Sequence, residues 1–82
     1  MINASTDLNT LFILAVSTLS DVQTGEKFIV RDLFRGFEWN RIPKGVRTKL
    51  GAMFFAYAQD QGSGQILPLG KTPQNQQIYE RL

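Results

Sequence analysis

Residues 43–59 decide the fold of this chain, and they read PKGVRTKLGAMFFAYAQ. Five apolar side chains there fall within about 100° of arc when each residue advances by 100°: Val46, Leu50, Met53, Phe54 and Tyr57. Pro43 suits the first helical turn because its missing N–H is not needed there. The spacing predicts a long amphipathic helix over 43–59, with Gly51 and Phe55 on the outward face.

The residues at the beginning of the chain predict a first long helix over 7–22. Asp7 follows Ser5 and Thr6, and each of these side chains can cap the free amides of a first turn. Apolar residues then recur at intervals of three and four: Leu8, Leu11, Phe12, Ala15, Val16, Leu19 and Val22. Gly25 is placed to end this helix in the left-handed conformation.

Residues 27–41 connect the two predicted helices. Residues 27–30 are rich in β-formers and predict a short strand. Residues 31–35 predict a short helix closed by Gly36, and residues 37–41 predict an aromatic loop. Because exposing both aromatic rings of that loop would be costly, we expect at least one of them to pack on the core.

The last third of the chain predicts a β-hairpin. Residues 65–69 form its first strand, residues 70–75 its turn and residues 76–82 its returning strand. Pro68 cannot donate a ladder hydrogen bond, so the first strand is expected at a sheet edge. The tip is polar and rich in amide side chains.

This order of elements predicts an α+β fold of the winged helix-turn-helix type. It consists of a helix, a short strand, a short helix, a long helix and a β-hairpin wing, and the short strand is expected to join the wing as a small sheet. The hairpin excludes an all-α bundle, and the strands are too few for a parallel or ferredoxin-like sheet. With 82 residues, we expect one domain over 1–82.

The composition removes most catalytic chemistry. The chain has no cysteine and no histidine, which excludes disulfides, thiolate metal sites and histidine-dependent nucleophilic dyads and triads. We therefore expect a non-enzymatic protein without catalytic residues, metal or cofactor. The longest apolar run, residues 11–16, is too short to span a bilayer, and no basic residue precedes Lys27 as it would in a signal peptide. The expected compartment is the cytoplasm, with no membrane partner.

Positive charge is concentrated in one part of the chain. The net charge is only +2, but seven of the nine lysines and arginines lie within residues 27–49 against two acids, a local excess of +5. Such a segment is typical of a protein that binds a polyanion. A solvated surface without a partner explains the same pattern, and charge alone leaves both interpretations open.

A set of residues between 25 and 80 resembles a known family. The matching positions are Gly25, Glu26, Phe28, 30–34, 38–43, Gly45, Arg47, Leu50, Gly51 and Phe54, with 69–72, Gln77 and Tyr79 in the hairpin. In these residues the chain resembles the small proteins of the domain-of-unknown-function 1413 family, which occur in Gram-positive bacteria and their phages and plasmids. The resemblance implies a winged-helix-like fold and an origin on a mobile element. It carries over no catalytic residue.

The start of the long helix and the tip of the hairpin are the candidate DNA-binding elements. In a helix-turn-helix protein the second helix enters the major groove with residues near its start. The candidate contacts are Arg41, Lys44, Arg47 and Thr48 around the helix start, and Lys71, Thr72 and Asn75 at the hairpin tip. As alternatives, the two arginines pair with Glu38 or Asp32 to lock the aromatic loop, and the tip is an ordinary polar turn. Whether the helix or the wing is the main reader of sequence also stays open.

Two functions from different classes fit these features. The first is a small protein that binds double-stranded DNA as a transcriptional regulator or DNA-processing accessory factor of a phage or plasmid. The second is a protein-interaction module of the same fold, such as a phage-encoded inhibitor or an assembly adaptor, because fold alone does not settle function. Phe55, Ile13 and Leu14 lie off the predicted core faces. They suggest a homodimer, unless the first helix wraps far enough to bury them.

Overall fold

A computed structural model describes residues 2–82, in which three α-helices and three strands are the main regular elements. In chain order they are α1 (Leu8–Thr18), a 3₁₀ turn (Leu19–Asp21), β1 (Lys27–Phe28), a second 3₁₀ turn (Val30–Leu33), α2 (Gly36–Arg41), α3 (Lys44–Gln59), β2 (Ile66–Lys71) and β3 (Gln77–Arg81). The predicted α+β class is confirmed. Only Ile42 and Pro43 separate α2 from α3, and the predicted bounds of α3 and the hairpin strands hold to within one or two residues.

The three strands form one antiparallel sheet in the order β1-β3-β2. Tyr79 of the central strand has Phe28 of β1 on one side and Pro68 of β2 on the other. Pro68 therefore lies on an edge strand and the short strand joins the hairpin, both as predicted. The register of β2 shifts between Pro68 and Lys71, so the hairpin leaves regular pairing as it approaches its tip.

The larger core cluster lies between α1, α3 and the sheet. Its buried members are Ala15, Leu19, Phe28, Leu33, Phe54, Ala58, Ile66 and Tyr79. Phe54 meets Tyr79 edge-on with 5.1 Å between ring centroids, and Phe28 stacks on Tyr79 at 5.8 Å. These aromatic contacts join the long helix and the sheet into one packed unit.

A second, smaller cluster joins α1 and α3 to the residues before α1 and after α2. Its buried members are Ile2, Leu11, Ile42 and Leu50. Leu50 and Phe54 are both fully buried, so the face of α3 that the sequence predicts for the core is the face that packs. Phe55, Ile13 and Leu14 are exposed, by 37%, 63% and 40%. The first helix therefore does not bury them, and the dimer they suggest stays a prediction.

α1 begins where the sequence predicts and ends earlier. The Asp7 carboxylate accepts a hydrogen bond from the Asn9 N–H at 3.0 Å and caps the first turn. The α-helix ends at Thr18 and tightens into a 3₁₀ turn, so Gly25 lies beyond the helix and not at its end. Its φ of +91° serves the turn into β1, where its N–H donates to the Arg81 carbonyl at 2.7 Å.

The segment that follows β1 differs from the prediction. β1 ends at Phe28 instead of residue 30, and a 3₁₀ turn takes the place of the helix predicted over 31–35. The cause is local, because the Asp32 carboxylate accepts a hydrogen bond from the Ile29 N–H at 3.0 Å. Gly36 then opens a helix and does not close one.

The aromatic loop predicted over 37–41 is wrong, since these residues form most of α2. Glu38 explains the difference. Its carboxylate is buried and accepts one hydrogen bond from Arg35 Nε at 2.8 Å and one from the Ile2 N–H at 3.2 Å. Trp39 packs on Phe34 with 5.6 Å between ring centroids, as expected for at least one of the two rings. The other ring, in the same helix, is half exposed.

Candidate functional site

A groove of about 730 Å³ runs between α3 and the β2–β3 hairpin. Its described lining contains four cationic side chains and no aspartate or glutamate. The cations come from three elements: Arg31 from the second 3₁₀ turn, Lys44 and Arg47 from α3, and Lys71 from β2. With no carboxylate to neutralise them, these charges give the groove a positive potential that attracts anions.

One wall of the groove is a single stripe of α3. Lys44, Thr48, Gly51 and Phe55 are spaced by four, three and four residues, so they share a face of the helix over about 16 Å at 1.5 Å per residue. The Thr48 hydroxyl donates back to the Lys44 carbonyl at 3.2 Å. The stripe is cationic at the start of the helix and apolar further along, where Phe55 is 37% exposed.

Arg47 is fixed in position by two contacts. Its Nε donates to the Ile42 carbonyl at 2.9 Å, and its guanidinium carbon lies 5.3 Å from the centroid of the Trp39 ring. Its terminal nitrogens make no hydrogen bond to any residue from 2 to 82. A planar guanidinium that is held by its Nε and by stacking offers the two terminal nitrogens to a phosphate or carboxylate with little loss of freedom.

The opposite wall is the hairpin tip, a tight turn over residues 72–76. The Thr72 hydroxyl accepts a hydrogen bond from the Gln76 N–H at 3.1 Å, and the Thr72 carbonyl accepts one from the Asn75 N–H at 2.8 Å. Asn75 has a φ of +65°, which asparagine adopts more readily than most residues. Within the described chain, the side-chain amides of Gln74, Asn75 and Gln76 make no hydrogen bond, while that of Gln77 donates to the Leu69 carbonyl at 2.6 Å.

Five of the seven predicted DNA-binding residues line this groove: Lys44, Arg47, Thr48, Lys71 and Asn75. The other two lie outside its lining. Thr72 closes the turn, and Arg41 donates to the Ile2 carbonyl at 2.9 Å with its guanidinium 5.1 Å from the Phe37 ring centroid. Neither Arg41 nor Arg47 forms an ion pair with Glu38 or Asp32. Arg35 pairs with Glu38, and the Asp32 carboxylate accepts a hydrogen bond from the Ile29 N–H.

The residues that line the groove include Arg31, Gln74 and Gln76, which are not among the seven DNA-binding residues predicted from the sequence. Arg31 lies in a 3₁₀ turn of four residues, and so short an element carries no periodicity that shows where a side chain points. Gln74 and Gln76 line the groove beside Asn75. The run of amides at residues 74–77 was the signal that could have included them.

Two side chains near these elements have shifted pKa values. The Ile2 N–H, and after it Arg35, hold the pKa of the Glu38 carboxyl below its usual 4.5. Burial raises the pKa of Tyr79 to about 12. The Tyr79 side chain is fully buried beneath the groove, and its hydroxyl has no hydrogen-bond partner among the described residues.

The groove presents cations, side-chain amides and aromatic rings. The part of the chain that the structure describes contains no cluster of three or more metal-ligating side chains. No described helix is both long and apolar enough to cross a membrane. A basic groove of this volume lies within the size range of ligand-binding clefts.

Fold and groove together define a small α+β protein with a basic cleft between α3 and a β-hairpin, whose lining contains no acidic side chain. The chain belongs to the family described as Domain of unknown function (DUF1413), whose model matches residues 14–81. The family resemblance seen in the sequence is thereby confirmed. No curated protein and no solved structure matches the chain.

Proposed function

We propose that this protein binds double-stranded DNA in the groove between α3 and the hairpin. The observation that carries the proposal is the convergence of four cations from three elements on one groove whose lining contains no carboxylate. Separate stretches of sequence meet there, so the positive charge is concentrated at a concave site and is not merely spread over a solvated surface. Phosphate neutralisation by lysine and arginine supplies most of the affinity of proteins for DNA.

The shape of the groove suits one sugar-phosphate strand of a duplex. α2 and α3 form a helix-turn-helix, and the hairpin follows as a wing would, so one backbone can pass between helix and wing while both elements approach the adjacent grooves. Arg47 and Lys44 lie on the helix side of that path, and Lys71 lies on the hairpin side. These contacts position the protein and carry no sequence information by themselves.

The number of groove cations sets the expected salt dependence. If all four neutralise phosphates, the logarithm of the binding constant falls against the logarithm of the salt concentration with a slope of about −3.6 per protomer. Such a protein binds duplexes of any sequence at low salt and loses most of its affinity near about 0.2 M. In the cell it would act without catalysis, as a regulator or accessory factor on DNA.

The test is a salt titration of a random duplex with matched variants of α3 and β2. Lys44→Ala and Lys71→Ala should each reduce the slope by about one. Lys49→Ala is the control, because Lys49 is exposed on the same helix but does not line the groove, so it should leave the slope unchanged. No binding at about 50 mM salt, or an equal effect of Lys44→Ala and Lys49→Ala, would overturn the proposal.

The apolar end of the groove favours a second candidate, a protein-interaction module. Phe55 is exposed there beside Gly51 and Ala52, and an apolar side chain next to small residues suits a packed protein contact better than a phosphate. This candidate predicts that an acidic peptide with apolar residues binds more tightly than a duplex of equal charge. Phe55→Ser should then abolish peptide binding and leave DNA binding intact.

A further inference from the structure

The groove-facing stripe of α3 has few groups that can distinguish one base from another. Gly51, Ala52 and Phe55 have no side-chain hydrogen-bond donor or acceptor, and the Thr48 hydroxyl proton is used on the Lys44 carbonyl. Lys44 carries a flexible point charge, which suits phosphate contact. The helix that ordinarily reads sequence in a helix-turn-helix protein therefore presents mainly charge and apolar surface.

Arg47 is the one side chain of α3 in the groove with the geometry to read guanine, and its position argues for a different role. Its Nε is bound to the Ile42 carbonyl at 2.9 Å, and its guanidinium is held 5.3 Å from the Trp39 ring centroid. Both contacts hold the guanidinium against the end of α2, which restricts its reach beyond the helix. The free terminal nitrogens suit a phosphate oxygen pair at the groove wall.

The hairpin tip, unlike α3, carries several side chains that can form hydrogen bonds with base edges. Gln74, Asn75 and Gln76 present three consecutive carboxamides, each with a donor and an acceptor that no residue from 2 to 82 occupies. The backbone beneath them is fixed by the Thr72–Gln76 pair, with hydrogen bonds of 2.9 and 3.1 Å. Carboxamides pair with adenine through its N6 and N7, and the major groove admits a two-stranded ribbon as well as a helix.

We infer that the hairpin tip reads base edges through Gln74 and Asn75, while α3 holds the DNA backbone through Arg47. This inference rests on the proposed DNA binding, and it assigns base reading and backbone contact to different elements. It reverses the usual division in a helix-turn-helix protein, where the second helix reads and the wing supports. The preferred sites should contain adenine at the positions that the tip contacts.

The experiment begins with selection of preferred duplexes from a randomised pool by the wild-type protein. Dissociation constants are then measured on the selected duplex and on a scrambled duplex of the same composition. Asn75→Gly is the main variant, because glycine accepts the positive φ at this position and only the amide is lost. Gln74→Ala is the second variant, at an exposed position whose side chain makes no contact that the turn needs.

The tip variants and the helix variants should separate cleanly. Asn75→Gly should lower the ratio of selected to scrambled binding by about 5- to 150-fold, the range for losing one bidentate base contact, with little change on the scrambled duplex. Arg47→Lys keeps the charge but loses the fork, so it should weaken both duplexes by the same factor. Thr48→Ala, on the α3 wall, should leave the ratio unchanged.

Four results bear on the inference in distinct ways. If the ratio falls in Arg47→Lys or Thr48→Ala and holds in both tip variants, α3 is the reader and the inference is wrong. Selection that enriches no sequence also overturns it, since no element then reads. Absence of any duplex binding removes the proposed function itself, whereas duplex binding with an unchanged ratio in the tip variants refutes only this inference.

Discussion

Replacing Tyr79 by phenylalanine is expected to stabilise the protein. The Tyr79 side chain is fully buried against Phe28 and Phe54, and its hydroxyl has no hydrogen-bond partner among the described residues. Folding therefore removes a phenol from water without giving it a new partner. Phenylalanine keeps the ring and both aromatic contacts and removes the group that is unpaired.

The magnitude follows from two opposing effects. An unpaired buried hydroxyl costs about 1–3 kcal/mol in protein mutational data. Removing the oxygen leaves a void no larger than a methyl group, which costs up to about 1 kcal/mol. The net gain is about 1 kcal/mol, and for a domain of this size that raises the Tm by about 4–8 °C.

The assay is thermal and urea unfolding of wild type and Tyr79→Phe, with Tyr57→Phe as the matched control. Tyr57 is half-buried in the same aromatic cluster, and its hydroxyl is not among the buried unpaired groups. Its loss should change the free energy of unfolding by less than about 0.5 kcal/mol. A Tyr79→Phe protein that melts below wild type would refute the reasoning, because it would show that the hydroxyl has a stabilising partner in solution.

The pH dependence gives an independent check of the same prediction. Burial raises the pKa of Tyr79 to about 12, while tyrosine in an unfolded chain titrates near about 10. Above that pH the unfolded state loses this proton first, so the wild-type stability that is present below about pH 10 declines as the pH rises toward the folded-state pKa. Phenylalanine does not titrate, and the advantage of Tyr79→Phe should therefore widen between about pH 10 and pH 12. A constant difference would contradict the burial of the hydroxyl.

Three further comparisons test the fold. Leu50→Ala should cost about 2–4 kcal/mol, because Leu50 is fully buried, and a thermal melt shifted by less than about 2 °C would mean that the core face is wrong. The pKa of Glu38 is lowered, so the stability from its hydrogen bonds is present above about pH 4.5 and is lost as the pH falls. Glu38→Gln should therefore reduce the decline in the free energy of unfolding at acid pH, measured by urea unfolding over a pH series. Gly45→Ala should stabilise by about 0.5–1 kcal/mol, since a Cβ there meets nothing and helix propensity improves. Gly62→Ala should destabilise the protein by about 1–3 kcal/mol, because its Cβ would lie 2.7 Å from a ring carbon of Tyr57. If urea unfolding showed Gly62→Ala to be more stable than Gly45→Ala, both glycine predictions would be contradicted.

Local pattern was enough to predict the long elements. The spacing of Leu50 and Phe54 identifies the buried face of α3, because a helix of 16 residues repeats its pattern often enough to be read. Pro68 marks the edge strand, because its missing N–H is incompatible with a central one. The concentration of positive charge was also visible in residues 27–49 and, together with the polar hairpin tip, led to five residues that line the groove.

Short elements depended on distant partners instead. Residues 36–41 are helical because Glu38 is held by Arg35 and by the backbone of Ile2, 36 positions away. A segment of six residues has too few turns for periodicity to identify it, and the contact that stabilises it joins parts of the chain that no local window includes. For this reason the sequence predicts a loop over residues 37–41, where the structure has a helix.

The sequence by itself determined the α+β class, the core face of α3, the hairpin and the excess of positive charge. Tertiary structure alone decided that Arg31, Arg47 and Lys71 meet at one groove, and that Arg47 is held by Ile42 and Trp39. The reason is that periodicity and propensity act over a few neighbouring residues. The direction of a charged side chain, by contrast, is set by whichever carbonyl, ring or carboxylate the packed chain brings within reach.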